Sequence, residues 1–335
     1  MTLGIKAGFY VLIFAGGVVG TCKAQGDEVA PLRNQLSFTC DNNFFLFDGD
    51  DGYYTNGIFL RYDRLAARPA NANRKRIVSY ELGQMIFSAH SRKILLNSNS
   101  QGIPYGLNQI DRPIAGYLFG KVTQTTFSKK RMLAWGVSVG TIGNNSFGKE
   151  AQEFWHNIIG VKDYWNWVWD YQVKNEWGVN LQGTFAQSLI HPKTQSTIQI
   201  TPLTQAVLGS TFTNLTQSVV LQIGKLRTMP SSSYWNSRLQ LSDAPRGKQS
   251  LEYFVYYKPG IRLQLYNATI QGGMFNSEKG PIVGEVEPLV FSHEFGVRFS
   301  SVRYCMGYQM TYQNKEAVSQ FYDQWFASLY LAFRF

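Results

Sequence analysis

The chain ends in Ser328-Leu329-Tyr330-Leu331-Ala332-Phe333-Arg334-Phe335, where apolar residues alternate with small or polar ones up to a terminal aromatic. A two-residue period places successive side chains on opposite faces of a β-strand. One face is apolar and the other wet. Such a strand suits either the edge of a soluble sandwich or the wall of a transmembrane barrel, in which apolar side chains meet lipid and ring closure satisfies every backbone group. The segment alone fits both, and the rest of the chain decides between them.

Lys6 is the lone charge before the apolar run 7–19, and Gly20-Thr21-Cys22-Lys23-Ala24-Gln25 follows with small and polar residues. This order reads as a signal peptide over residues 1–25, cut near Ala24 or Gln25, because the apolar run is too short to span a bilayer. Thr21 before Cys22 argues against a lipoprotein acceptor. Downstream, no uninterrupted apolar stretch is long enough for a transmembrane helix, which excludes a helical membrane protein but leaves a barrel open. The 19 Tyr, 23 Phe and 8 Trp suit the aromatic girdles of a barrel better than a soluble core, since so many Tyr and Phe recur at alternate positions. For an exported chain, the formal charge of +10 points to anionic lipid head groups and to no nucleic-acid partner.

One domain is expected over residues 26–335. Runs of strand length, separated by Gly, Asn, Asp, Ser or Pro, cover 35–46, 53–64, 76–88, 112–126, 131–142, 172–188, 197–211, 215–226, 251–266, 286–299, 301–313 and 324–335. The fold class is all-β: a closed antiparallel transmembrane β-barrel of about twelve strands, with a short helix in an extracellular loop. With the N-terminus in the periplasm, the connections 47–52, 89–111, 143–171, 212–214, 267–285 and 314–323 lie outside the cell. The long 227–250 connection has no evident purpose. Alternation puts Cys40 and Cys305 on opposite sides of the wall, so no disulfide is expected.

The connection 143–171 contains a helical stretch on which Lys149, Gln152 and His156 share a face, with Ser146 as a possible cap and Gly160 as a stop. Trp165, Trp167 and Trp169 follow at alternate positions, as in an interfacial anchor. A lone helical His is more often a plain surface residue than a catalyst, but it is the natural proton carrier near neutral pH. In the first hairpin, Asp41 and Thr55 are equidistant from Asp48 and would form a cross-strand pair if the turn were symmetric. Asp48, Asp50 and Asp51 miss the helix–loop–helix calcium spacing and read as a solvated turn. No G-x-S-x-G elbow is present. His90, His191 and His293 carry no assigned role.

Several segments occur together: Cys40-Asp41 with Tyr54-Thr55-Asn56-Gly57; Gln84 to Ser88 with Lys93; Asp111-Arg112; Gly140 to Gly143; the stretch from Glu150 through Gln152 and His156 to Gly160; and Trp169, Gln172 and Asn175. In this order and approximate spacing the chain resembles the outer-membrane lipid A 3-O-deacylases. The resemblance implies a bacterial outer-membrane location and hydrolysis of an ester-linked acyl chain of lipopolysaccharide (lipid A). It implies His156 as the general base that activates water, and Gln152 as a residue that orients the site. Asp41 and Thr55 would stand on the substrate and metal side, with Asp41 a ligand of calcium. Lys93, Arg92 and Lys149 would meet phosphate or oxyanion. It also implies outer-membrane lipid as surroundings and the barrel assembly machinery as a partner in biogenesis. Cys40 replaces the family's Asn before the acid, and Lys162, beside Asp163, replaces a Glu six residues after the histidine. These departures keep a second reading in view: a barrel that has lost the chemistry and serves as a pore or a lipopolysaccharide-binding structural protein.

Overall fold

The computed structural model describes residues 32–46, 52–66, 74–90, 110–159, 166–190, 196–240 and 251–335. The expected signal peptide, Asp48, Asp50, Asp51, Arg92, Lys93, Gly160, Lys162, Asp163, Trp165 and His191 lie outside the described residues.

The strands are β1 (Asn34–Asn42), β2 (Tyr53–Leu65), β3 (Lys75–Ser88), β4 (Ala115–Phe127), β5 (Arg131–Ile142) and β6 (Glu176–Gln187). They continue as β7 (Ser196–Gly209), β8 (Phe212–Leu226), β9 (Glu252–Asn267), β10 (Leu289–Ser300), β11 (Tyr304–Gln313) and β12 (Gln324–Arg334). Every neighbour is antiparallel, and β1 pairs with β12 from Gln35↔Arg334 to Asn42↔Ala327, closing the barrel. Closure leaves no strand edge unpaired, the condition for spanning hydrocarbon.

Alternation sorts the side chains as expected. Leu36, Leu82, Trp135, Leu181, Val297 and Leu331 are exposed on the outer face. Such a belt is stable only where the solvent is itself apolar. On β11, Tyr304, Met306 and Met310 face out while Cys305 is buried inward, and both Cys40 and Cys305 are free. Short hairpins such as Ser128–Arg131 and Ser301–Tyr304 sit at one end. Longer connections, including helix α1 (Gly148–Ile159), sit at the other, but the long β8–β9 connection shares the end of the short hairpins.

Two boundaries shift for local reasons. β1 stops at Asn42 because Asn43–Leu46 form a 3-10 turn, started by the Phe44 N–H donating to Asn42 Oδ1 at 2.7 Å. A bulge between Tyr54 and Asn56 moves the register of β2 against β3. The first hairpin is therefore not symmetric. Asp41 pairs with Gly57 and Asn42 with Asn56, so the expected Asp41–Thr55 pair does not form.

The lumen is obstructed at both ends. The β8–β9 connection, unexplained in the sequence, turns inward over its described part and plugs the end opposite α1. Lys75 donates to Pro230 O at 2.8 Å and to Ser237 O and Leu239 O. Glu252 accepts from Ser232 Oγ and the Ser233 N–H, both at 2.8 Å. Tyr330 Oη donates to Asn236 Oδ1 at 2.7 Å, and Tyr234 and Trp235 pack on the apolar lining that includes Ile77, Phe127 and Leu203. Above the plug lies a chamber of about 300 Å³ lined by Arg61, Glu81, Tyr234, Arg298 and Tyr330. At the α1 end Arg112, fully buried, donates to Glu316 Oε1 at 2.6 and 3.0 Å and to Thr269 Oγ1 at 3.1 Å, and lies 4.3 Å over the Phe87 ring. Tyr53 Oη donates to Asp111 Oδ2 at 2.6 Å and accepts from the Phe321 and Tyr322 N–H groups, joining three connections into a cap.

Burial works against the charge on Glu316, but Arg112 and Arg262 outweigh it and hold the carboxyl below its ordinary value. The pair thus stabilises the cap above the ordinary glutamate range, and that contribution is lost as pH falls through the lowered value. Glu316→Gln is expected to cost about 3–5 kcal/mol by stranding Arg112. Urea unfolding in lipid vesicles measures this, and a loss under about 1 kcal/mol, the size of an exposed pair, would show that the ion pair does not hold the cap.

Candidate functional site

Helix α1 lies outside the barrel, against the lipid-side wall. Outward residues on β3 include Leu82, Gln84 and Ile86, by parity with the exposed Tyr80 and Leu82. Gln84 Nε2 donates to Ser146 O at 2.6 Å and Phe147 O at 3.1 Å, fixing the approach to the helix on that face. The helix starts over Gly116 of β4, where an added Cβ would lie 2.0 Å from Ser146 Oγ and 3.1 Å from Gly148 Cα, so this approach requires glycine. Ser146 does not act as the simple cap expected: its hydroxyl donates back to Gly143 O within a 3-10 turn.

The helix then runs towards β2 and β1. Trp155 packs against the cluster formed by Cys40, Phe45, Ile58, Ala327 and Leu329, all on the outer side of the wall. Gln152 and His156 are only 9% and 8% exposed, Lys149 is half-buried, and Phe154 is 65% exposed towards the lipid side. The three polar residues do share a face, as expected, and it is the face turned to the wall. Gln152 Oε1 accepts from Trp169 Nε1 at 2.8 Å. Trp169 is therefore not an interfacial anchor. It is buried with Ile86, Ile114 and Val168 and braces the helix.

The wall under the distal half of the helix carries polar side chains that an outward barrel face ordinarily excludes. Asn42, by parity with Leu36 and Phe38, faces outward, as does its partner Asn56. Thr55, in the bulge, donates to Ile86 O, the carbonyl of an outward residue, at 3.5 Å. Exposures of 8% for Asn42, 5% for Thr55 and 7% for Asn56 mean that they are covered; on the same face the 3-10 turn binds Asn42 through the Phe44 N–H, and Trp155 of the helix packs on the adjoining cluster of Cys40 and Ile58. Asn42 and Asn56 were missed by sequence reasoning. Parity from Leu36 and Phe38 would have found the first, but the bulge hid the second.

Asp41 does not join this group. Its carboxylate accepts from Tyr54 Oη at 2.7 Å, and Tyr54 packs with Phe87, Tyr117 and Phe119 inside the barrel. The expected site thus separates: Gln152, His156, Lys149 and Thr55 lie on the lipid side, and Asp41 on the lumen side. Cys40 faces outward but sits in an apolar cluster, where burial pushes its chemistry towards that of a small hydrophobe. His90 lies between the rings of Tyr53 and Tyr322, at 5.7 and 4.9 Å, and His293 meets Tyr257 Oη at 2.7 Å on the outer face of β10.

The donor set does not fit calcium as the resemblance implies it. Ca²⁺ takes several hard oxygens, usually with carboxylates among them. On the helix side of the wall, the covered side-chain oxygens are neutral amides and one hydroxyl, from Asn42, Asn56, Gln152 and Thr55; the helix carboxylates Glu150 and Glu153 join no group of three His, Cys, Asp or Glu able to hold a metal ion among the described residues, and the one carboxylate expected as a ligand is across the wall. Calcium is therefore not assigned to these residues.

Comparison with known proteins follows the same lines. The family model described as outer membrane protein LpxR matches residues 10–335. Among solved structures, LpxR from Salmonella typhimurium superposes with a TM-score of 0.69 at 18% identity, over 90% of this chain and 100% of that one. The β domain of the Bordetella autotransporter BrkA reaches a TM-score of 0.44 at 8% identity, over 90% and 98%. No curated protein matches the chain.

Gln152→Leu should strand the Trp169 indole and loosen α1 at a cost of about 1–3 kcal/mol. Hydrogen exchange of residues 148–159 is the readout, and unchanged protection would mean that the Gln152–Trp169 bond does not hold the helix.

Proposed function

The chain belongs to the family of outer membrane protein LpxR and lies in the bacterial outer membrane, and from this premise we propose that it is a lipid A deacylase, hydrolysing an ester-linked acyl chain of lipopolysaccharide. The observation that carries the reading is a buried imidazole on an external helix whose neighbour Trp155 packs on the outer wall beside the covered, outward-facing Asn42 and Asn56. Outward polar residues in such a wall are costly and mark a site.

In this reading His156 takes a proton from water as the water oxygen attacks the ester carbonyl carbon, and returns it to the departing alkoxide. The products are a free fatty acid and a hydroxyl on the remaining lipid. Gln152, held by Trp169, positions the helix face. Amide N–H groups of Asn42 and Asn56 and the Thr55 hydroxyl are the donors available for the developing oxyanion. Lys149 and, from outside the described residues, Arg92 and Lys93 supply cations for the lipid phosphates. The lipid-side placement suits a substrate whose ester lies at the membrane boundary, since it needs no extraction into the lumen. The pore alternative finds no support in a lumen obstructed at both ends among the described residues.

His156→Ala is expected to leave a folded, heat-modifiable barrel and to abolish acyl loss from lipid A, read by mass spectrometry of extracted lipid. Full deacylation by this variant would reject the assignment. Asp41→Asn should retain most of the activity, because its carboxylate faces the lumen; a loss as deep as that of the His156 variant would overturn the face assignment. Chelation by EGTA should leave the rate unchanged, because no group of three His, Cys, Asp or Glu among the described residues is placed to hold a metal ion; a loss restored by calcium alone would overturn this reading.

A further inference from the structure

The chamber above the plug carries a positive charge that its own walls leave unbalanced. Arg61, Glu81 and Arg298 line it, with Asp63 and Lys121 beside them. Asp63 accepts from Arg61 at 2.8 Å, and Glu81 is held by Lys121 and lies 3.6 Å from Arg61. The neighbouring pair Lys258 and Glu294 cancels itself. Arg298 is left over, in no ion pair among the described residues. A guanidinium inside a barrel is costly when no anion faces it.

What holds Arg298 does not neutralise it. Its Nη1 donates to Ser233 O of the plug at 3.1 Å, and its guanidinium carbon lies 4.1 Å from the centre of the Tyr330 ring. A ring face attracts a cation but brings no net charge. Nε is buried without a partner, and Nη2 donates to nothing among the described residues. The wall is cut away to receive this side chain. Arg298 pairs with Gly307 and Gly307 with Tyr330, so the guanidinium crosses β11 over a glycine to reach the ring on β12. A Cβ on Gly307 would lie 3.1 Å from Nε, a tight approach that glycine avoids.

The strand register sets unused donors beside this cation. Tyr330 pairs with Thr39, and Arg61 pairs with Ser37 on the same strand, β1. Ser37 is only 4% exposed, yet its hydroxyl and that of Thr39 border the chamber with no hydrogen-bond partner among the described residues. Gln309 and Asn236 also line it. Their amide oxygens accept from Tyr256 and Tyr330, each at 2.8 or 2.7 Å, and their amide nitrogens are unused among the described residues.

We propose that the chamber binds a small tetrahedral oxyanion of the phosphate or sulfate class, with Arg298 as its charge partner and Ser37 and Thr39 as hydroxyl donors. The spare donors come from β1, β10, β11 and the plug, so they approach from several sides. A tetrahedral oxyanion presents oxygens in all these directions, whereas a carboxylate presents both of its oxygens along one edge. A chamber of about 300 Å³ takes such an ion together with water. The obstructed ends exclude a head group still attached to its lipid chains, so the ion comes from free solution. Arg298 and Tyr330 also tether the plug, through Ser233 and Asn236, and the bound ion steadies it.

The test is calorimetric titration of inorganic phosphate into the barrel in a maltoside detergent at constant ionic strength, with acetate titrated in parallel. Phosphate should bind the parent chain at one site per barrel. Arg298→Gln and Ser37→Val should each weaken it at least about tenfold. Arg131→Gln, at an exposed hairpin, should bind as the parent does. Each variant is first checked for heat-modifiable mobility, and if Arg298→Gln does not fold, Ser37→Val decides. Hydrogen exchange over residues 229–239 should slow on adding phosphate to the parent, and unchanged exchange would overturn the link to the plug. The site itself is overturned by a parent that takes up no phosphate, by Arg298→Gln or Ser37→Val binding as tightly as the parent, or by acetate binding as tightly as phosphate. No acyl ester enters this readout, so its failure is distinct from failure of the deacylase reading.

Discussion

Everything functional here depends on one property of a closed β wall: neighbouring residues on a strand belong to different compartments. Asp41 and Asn42 are adjacent in sequence, yet the first bonds Tyr54 in the lumen and the second lies under the external turn and helix. The same rule puts Cys40 on the helix side and makes it an apolar wall residue beside Trp155. A site on such a scaffold is selected by parity before it is selected by chemistry. An acid at the right height on the wrong face is as remote from the helix as if it were in another domain.

Parity is also why so much of the fold was legible. The expected strands all form within a few residues of their expected bounds, because apolar alternation over many residues has one low-energy solution when a lipid belt and a lumen are both available. The helix and the shared face of Lys149, Gln152 and His156 were legible from their spacing of three and four. What escaped were features that break the period. The Asn43–Leu46 turn and the Tyr54/Asn56 bulge each change the count between β1 and β2, and a symmetric hairpin cannot anticipate either. Trp169 escaped for a different reason. Its alternation with Trp165 and Trp167 resembles an interfacial anchor, but a tertiary hydrogen bond to Gln152 decides its place.

The two obstructed ends are built from opposite materials. At the α1 end the cap hangs on a fully buried guanidinium with a carboxylate partner, Arg112 and Glu316, which joins connections far apart in sequence. At the other end Lys75 is satisfied chiefly by main-chain carbonyls of the plug, with Glu252 and Tyr330 holding the plug from other strands. The first arrangement relies on charge neutralisation, and the second captures backbone groups that have no sheet to join. Both leave the external surface of the wall, rather than the interior, as the place where a large amphipathic ligand can be met.

The plug also depends on closure of the wall. Its contacts reach β3 through Lys75, β9 through Glu252, β10 through Arg298 and β12 through Tyr330. These walls come together only in the closed cylinder, so the plug has its full set of partners only once the β1–β12 seam has formed, and a break in that seam should loosen the plug as well as the wall.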